Sequence, residues 1–98
     1  MEKRIPHSPL SRVKSLVAEG KVRTTSAARH GAITLGFDYS GMLAVVLALE
    51  ATDFHKSMTT YADHTIWQDV YRPTTSAGTV YLKLTVIEDA LIVSFKEL

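Results

Sequence analysis

The 98-residue sequence has no cysteine, which excludes thiolate zinc sites, thiol nucleophiles and iron–sulfur clusters and leaves the redox compartment open. No apolar run approaches the ~20 residues that a membrane span needs. The opening "MEKRIPHSPL" lacks the apolar stretch of a signal peptide. These absences predict a cytoplasmic protein with no membrane partner. The four histidines, His7, His30, His55 and His64, show no metal-ligand spacing, so neither a metal nor another cofactor is expected. There is no repeat, low-complexity tract or linker, and the length suits one domain, 1–98, with a single core.

What charge there is lies unevenly. Seven of the eleven basic residues (Lys3, Arg4, Arg12, Lys14, Lys21, Arg23, Arg29) precede His30 and face only Glu2 and Glu19. The later part holds eight acids and four bases: Lys56, Arg72, Lys83 and Lys96. The early bases read as a tail and a solvated helix face that lend affinity for a polyanion; the placement of the late ones depends on secondary structure.

Ser8-Pro9 reads as a helix N-cap followed by proline at the first helical position. Leu10, Val13, Leu16 and Val17 then recur at helical spacing until Gly20. "KVRTT" makes a short strand or connector, and Thr24, Thr25 or Ser26 caps a second helix that ends near Gly36. Asp38 caps a third, whose "MLAVVLALE" is apolar almost all round and predicts a helix buried against a sheet. From Phe54 the period changes to two. "KSMTTY", "HTIWQDVYR", "TVYLKLTVI" and "ALIVSFKE" read as four strands, separated by Ala62-Asp63-His64, by a loop from Pro73 to about Gly78, and by Glu88-Asp89. Helices followed by an antiparallel meander define an α+β fold, with N-terminal helices packed on a C-terminal antiparallel sheet.

About a turn at Glu88-Asp89, residues whose numbers sum to 177 face each other. Val86 with Leu91, Leu84 with Val93 and Leu82 with Phe95 form the buried face, and Lys83 with Ser94 and Tyr81 with Lys96 form the other. Extending the register backwards pairs Met58 with Gln68 and Lys56 with Val70. One face then shows Lys56, Met58, Gln68, Arg72, Tyr81, Lys83 and Lys96, with all four late bases and no acid. Trp67 and Tyr71 fall on the opposite parity and read as packing aromatics; Asp69 shares their face and needs a partner.

Basic residues on a solvent-facing sheet are ordinary, but an unpaired cationic face with an amide, a phenol and a thioether suits a polyanion such as RNA. In RNA the 2′-hydroxyl can attack the adjacent phosphorus, so a protein need supply only positioning, charge stabilisation and proton transfer. Lys56 and Lys96 can neutralise a dianionic phosphorane, Tyr81 can donate or accept a proton, Gln68 can fix an oxygen, and Arg72 can clamp a flanking phosphate. Lys83 reads as an affinity contact. His7 and His55 are candidates for substrate contact, although an isolated histidine near a turn is more often simply solvated. A non-catalytic RNA- or partner-binding module is the rival reading of the same cations.

Over "HSPLSRVKSLVAEGKVRTT", "DFHKSMTTYADHTIWQDVYRP" and "VYLKLTVIEDALIVSFKE", the chain resembles the MqsR toxins, ribosome-independent mRNA interferases of toxin–antitoxin systems. The likeness is essentially full length and weakest between Ser26 and Leu49. It implies a RelE-like microbial ribonuclease fold, cleavage of single-stranded mRNA at GC-containing sites, and neutralisation by a cognate MqsA-type antitoxin. It also implies functional roles for Lys56, Gln68, Tyr81 and Lys96. Where the family often has tyrosine beside the first of these lysines, this chain has His55. Zinc in the family is associated with the antitoxin, so the resemblance implies none here.

Overall fold

A computed structural model describes residues 1–98. Three nine-residue helices, α1 (Leu10–Ala18), α2 (Ser26–Thr34) and α3 (Tyr39–Leu47), precede most of the strands. None is long and apolar enough to cross a membrane. The strands are β1 (Glu2–Lys3), β2 (Val22–Thr24), β3 (Phe54–Thr59), β4 (Trp67–Tyr71), β5 (Thr74–Thr75), β6 (Gly78–Ile87) and β7 (Asp89–Glu97). The main sheet runs β1-β3-β4-β6-β7-β2, with β5 paired on β6. Every pairing is antiparallel except β2 on β7. The α+β architecture is the one expected.

The helix boundaries follow local chemistry. The Thr25 hydroxyl caps α2 by accepting from the Ala28 amide at 3.0 Å, and Asp38 caps α3 by accepting from the Gly41 amide at 2.7 Å. The start of α1 differs by one residue from the expectation: Pro9 takes the N-cap position, and no side chain caps it. Ser8 serves another purpose, since its amide and that of His7 donate to the two carboxylate oxygens of Asp69, at 3.0 and 2.9 Å. This is the partner that the sequence left unassigned. Asp69 is 1% exposed, and two charge-assisted bonds offset the cost of burying its carboxylate.

The core lies between the helices and one sheet face, where Leu82, Leu84, Ile92 and Phe95 meet Val13, Leu16, Met42 and Val46. Tyr71 is buried there edge-on to Phe54, and burial together with the Asp69 charge pushes its pKa up to about 12. α2 lies along β7, and α1 packs on α3 as well as on β7. α3 meets the sheet as expected, through Met42 and Val46, but it is not buried all round. It also touches α1 and α2 and leaves Leu47 and Tyr39 exposed; its uniform apolarity concealed which stripe faced inward.

The β6–β7 hairpin also departs from the expected register. Tyr81–Lys96, Leu82–Phe95 and Lys83–Ser94 pair as read, but a bulge follows, and Leu84 pairs with Ile92, Thr85 with Leu91 and Val86 with Ala90. The chain reverses at Glu88, which adopts φ 65°. A single-residue reversal would flip the faces of the two strands relative to each other. The extra residue Val93 flips them back. Ala90 and Ile92 thus enter the core in place of Leu91 and Val93.

α2 approaches β7 closely because Gly31 has no side chain: a Cβ at that position would overlap the Phe95 carbonyl oxygen. Gly31→Ala is expected to lower unfolding stability by about 1–3 kcal/mol, despite the better helix propensity of alanine, because a well-packed contact has no room to give. A denaturant midpoint equal to wild type would show that α2 can shift away without cost.

Candidate functional site

Side chains alternate along each strand, so the pairings Met58–Gln68, Lys56–Val70, Val70–Lys83, Lys83–Ser94 and Tyr81–Lys96 place all these residues on the sheet face turned away from the helices. Val70 is fully buried even though it lies on this open face. Lys56 and Lys83, its partners on either side, stand where their methylene stems can cover it while their ammonium groups reach outward.

Tyr81 and Lys96 are direct cross-strand partners, with the Lys96 ammonium 5.2 Å from the centre of the Tyr81 ring. The contact is a cation–π interaction that holds the amine beside the phenol. Lys83 is half-buried. Its pKa is lowered by desolvation first and by the Lys96 charge second. The sequence placed Lys83 on this face but did not show its partial burial, because parity reveals direction and not depth. Gln68 and Met58 line a concavity of about 470 Å³ together with Lys83 and with Tyr61 and His64 of the β3–β4 turn. Sequence reasoning missed Tyr61; a lone aromatic in a turn gave no periodic signal.

Lys56 is not a free cation. Glu2 on β1 pairs with Met58 and so shares the open face, and the Lys56 ammonium donates to its carboxylate at 2.7 Å. That hydrogen bond, followed by the Lys56 charge, holds the Glu2 pKa below its ordinary value. The face expected to carry no acid therefore carries one, and residues 2–3 are an edge strand and not a tail. A two-residue strand 54 positions from its partner leaves no trace in periodicity.

His55 sits at the irregularity between Phe54 and Lys56, where β3 shifts register against β4. The Arg4 guanidinium donates to the His55 carbonyl at 3.4 Å. The imidazole pKa is lowered by burial first, then by Arg72, Lys56 and Arg4, so the ring is mainly neutral at pH 7. Arg72, just beyond β4, is exposed, and its own amide donates to the Asp53 carbonyl at 2.7 Å. His55, Arg72, Arg4 and Lys56 thus gather at one end of the face. His7 does not join them. It stacks on Trp67 at 5.6 Å between ring centroids and accepts from the Lys3 ammonium at 3.0 Å, and Trp67 projects to the other side of the sheet. Lys3 itself stands 4.2 Å from the Trp67 ring centre.

The face has no group of three or more histidine, aspartate or glutamate side chains that could hold a metal ion, and nor does the rest of the chain. The Glu2 carboxylate on this face is committed to Lys56. What the face offers is two adjacent amines beside a phenol, an amide at the mouth of a concavity, and a second basic cluster, an arrangement suited to an extended polyanion.

Fold and face together define a small α+β domain with a cationic sheet surface, and the comparisons with known proteins give that class a family. The model of a family described as "Motility quorum-sensing regulator, toxin of MqsA" matches residues 5–97. The mRNA interferase toxin MqsR of Escherichia coli (strain K12) is 63% identical over 97 residues, covering 99% of each chain. The chain belongs to the MqsR toxin family.

Two measurements probe these electrostatics. Glu2→Gln is expected to tighten binding of a non-cleavable RNA by about twofold to fivefold at low salt, because it frees Lys56 from an exposed ion pair of modest strength. The gain should shrink as salt rises; unchanged affinity would mean that Lys56 never meets the polyanion. Lys83 gives a pH signature. The fold disfavours its charged form, so protonated Lys83 opposes folding, and that opposition fades as pH rises through its lowered pKa. RNA affinity should accordingly begin to fall below the ordinary lysine value of 10.5, and Lys83→Arg should abolish this early fall. Identical pH profiles for the two proteins would remove Lys83 from the binding face.

Proposed function

We propose that this protein is a toxin endoribonuclease that cleaves single-stranded mRNA at GC-containing sites, independently of the ribosome, and is held in check by a cognate MqsA-type antitoxin. The observation that carries the chemistry is the Tyr81–Lys96 cross-strand pair with Lys83 beside it. Family membership and the name of the relative support the ribonuclease and toxin parts of the reading.

The 2′-hydroxyl attacks the adjacent phosphorus, and its proton leaves as the new P–O bond forms. The P–O5′ bond then breaks and the 5′-oxygen takes up a proton, giving a 2′,3′-cyclic phosphate and a 5′-hydroxyl end. Two negative charges develop on the non-bridging oxygens in between. Lys96 neutralises this charge from beside Tyr81, and Lys56 does so once the RNA has displaced Glu2. Tyr81 moves a proton, and Gln68 fixes an oxygen through its amide. The mutual repulsion of Lys83 and Lys96 is relieved when an anion arrives between them, so the pair is preorganised for charge that appears during reaction. Arg72 and neutral His55 hold a flanking phosphate, and Met58 gives apolar contact in the concavity. His7 lies behind the sheet against Trp67, and this reading assigns it no contact with the RNA.

No divalent metal is required on this reading, because ammonium groups occupy the positions where carboxylates would have to gather to hold one. A purified-protein assay on a defined RNA in the presence of chelator should yield fragments with cyclic or 3′-phosphate and 5′-hydroxyl ends. Tyr81→Phe and Lys96→Ala should each lower turnover by about 10²-fold or more, the scale of a lost preorganised donor. The double variant should lose much less than the product, since the two act as a unit. Lys83→Ala should act mainly on KM. RNA that is bound by the wild-type protein but never cut would favour the non-catalytic binding module and sink the nuclease reading.

A further inference from the structure

Between β3 and β4 the chain turns through residues 60–65, and at this turn Tyr61 stands fully exposed, at 101% of its reference accessibility. A ring left wholly in water adds nothing to the core. The turn that carries it is nevertheless firmly tied. The Thr60 amide donates to the Ile66 carbonyl at 2.9 Å and the Ile66 amide to the Asp63 carbonyl at 3.2 Å. One Asp63 carboxylate oxygen accepts from both the amide and the hydroxyl of Thr65, at 2.9 and 2.6 Å. The Thr60 hydroxyl donates to the Asp63 carbonyl at 2.6 Å and accepts from the Asp63 amide at 2.9 Å. An unpacked aromatic is therefore presented on a pinned turn.

Beneath the turn lies the concavity of about 470 Å³ lined by Met58, Thr60, Tyr61, His64, Gln68 and Lys83. Lys83 belongs both to this hollow and to the cationic row, since Tyr81 lies two residues earlier on the same face, about 7 Å along the strand. A chain whose phosphate lies against Lys83, Tyr81 and Lys96 has its neighbouring base at the mouth of the hollow. The walls suit a base: an aromatic ring for its face, a thioether for apolar contact, and the amide of Gln68 and the imidazole of His64 for its polar edge.

We propose that this concavity is a nucleobase subsite in which Tyr61 stacks on the base flanking the cleaved phosphate. The inference rests on the reading of the open face as an RNA-cleaving surface and names where that surface meets sequence. It gives a side chain outside the catalytic cluster a share in recognition, because stacking supplies affinity for any base while the amide and imidazole favour particular edges.

The test uses the full chain and an RNA carrying a 2′-deoxynucleotide at the cut position, with binding followed by fluorescence anisotropy and cleavage measured separately on the all-ribose RNA. Tyr61→Ala should weaken binding and raise KM by about tenfold to a hundredfold, the scale of one lost base–aromatic stack, and leave kcat within a few-fold of wild type. Tyr61→Phe should restore both. With an abasic site at the flanking position, wild type and Tyr61→Ala should bind equally, because the stacking partner has been removed from the RNA. Equal binding of intact RNA by the two proteins overturns the subsite and leaves the nuclease reading standing. Loss of neutralisation by the cognate antitoxin with RNA binding unchanged also overturns it and assigns Tyr61 to a protein interface. A wild-type chain that neither binds nor cuts RNA overturns both readings.

Discussion

A single carboxylate organises the N-terminal strap. Asp69, buried on the helix side of the sheet, takes the amides of His7 and Ser8 in its two oxygens and thereby anchors the chain just before α1. From that anchor the strap runs back across Trp67, where His7 and Lys3 settle against the indole, and reaches β3 as the edge strand β1. The consequence appears on the opposite side of the sheet. Because β1 is held in register, the Glu2 side chain projects beside Lys56 and engages it. An uncompensated carboxylate would be costly where Asp69 lies, so the fold and the charge pattern of the open face depend on the same two hydrogen bonds.

The open face carries the opposite kind of electrostatics. The helix side satisfies its one buried charge, whereas the outer side keeps Lys83 partly desolvated beside Lys96 with no carboxylate between them. Such an arrangement opposes folding slightly and favours whatever anion relieves it. Binding sites commonly keep this imbalance, since groups already fixed in place need not reorganise when charge develops. The His55 end repeats the pattern with Arg72, Lys56 and Arg4 around a neutral imidazole. Two cationic regions on one strand-ordered surface match the repeating charge of a nucleic acid backbone.

Much of this was legible in the sequence because strand parity is robust. Met58 with Gln68, Lys56 with Val70 and Tyr81 with Lys96 emerged from alternation alone, and the caps at Thr25 and Asp38 announced two helices through their hydroxyl and carboxylate. Four features escaped for definite reasons. Glu2 reached the face through a strand of two residues, too short to show a period. α3 is apolar on nearly every side, so composition did not reveal that only the Met42–Val46 stripe is buried while Leu47 stays exposed. Burial of Lys83 depends on neighbours from three strands and cannot be read along one. His7, beside a helix start, went to the far side of the sheet because Asp69 draws its backbone there.

The hairpin contains the subtlest case. Its one-residue reversal at Glu88 and its bulge at Val93 each shift β7 by one position, and the shifts cancel before Tyr81 meets Lys96. The parity near the site therefore survives only because both irregularities are present together. For the evolution of the gene this means that length is constrained where composition is not. A change of side chain at position 93 alters local packing, whereas loss of that one codon would rotate the end of β7 by half a turn and send Lys96 toward the helices. Compensating insertions and deletions, made together in turn and bulge, are the route by which this hairpin can change length and keep its amine beside its phenol.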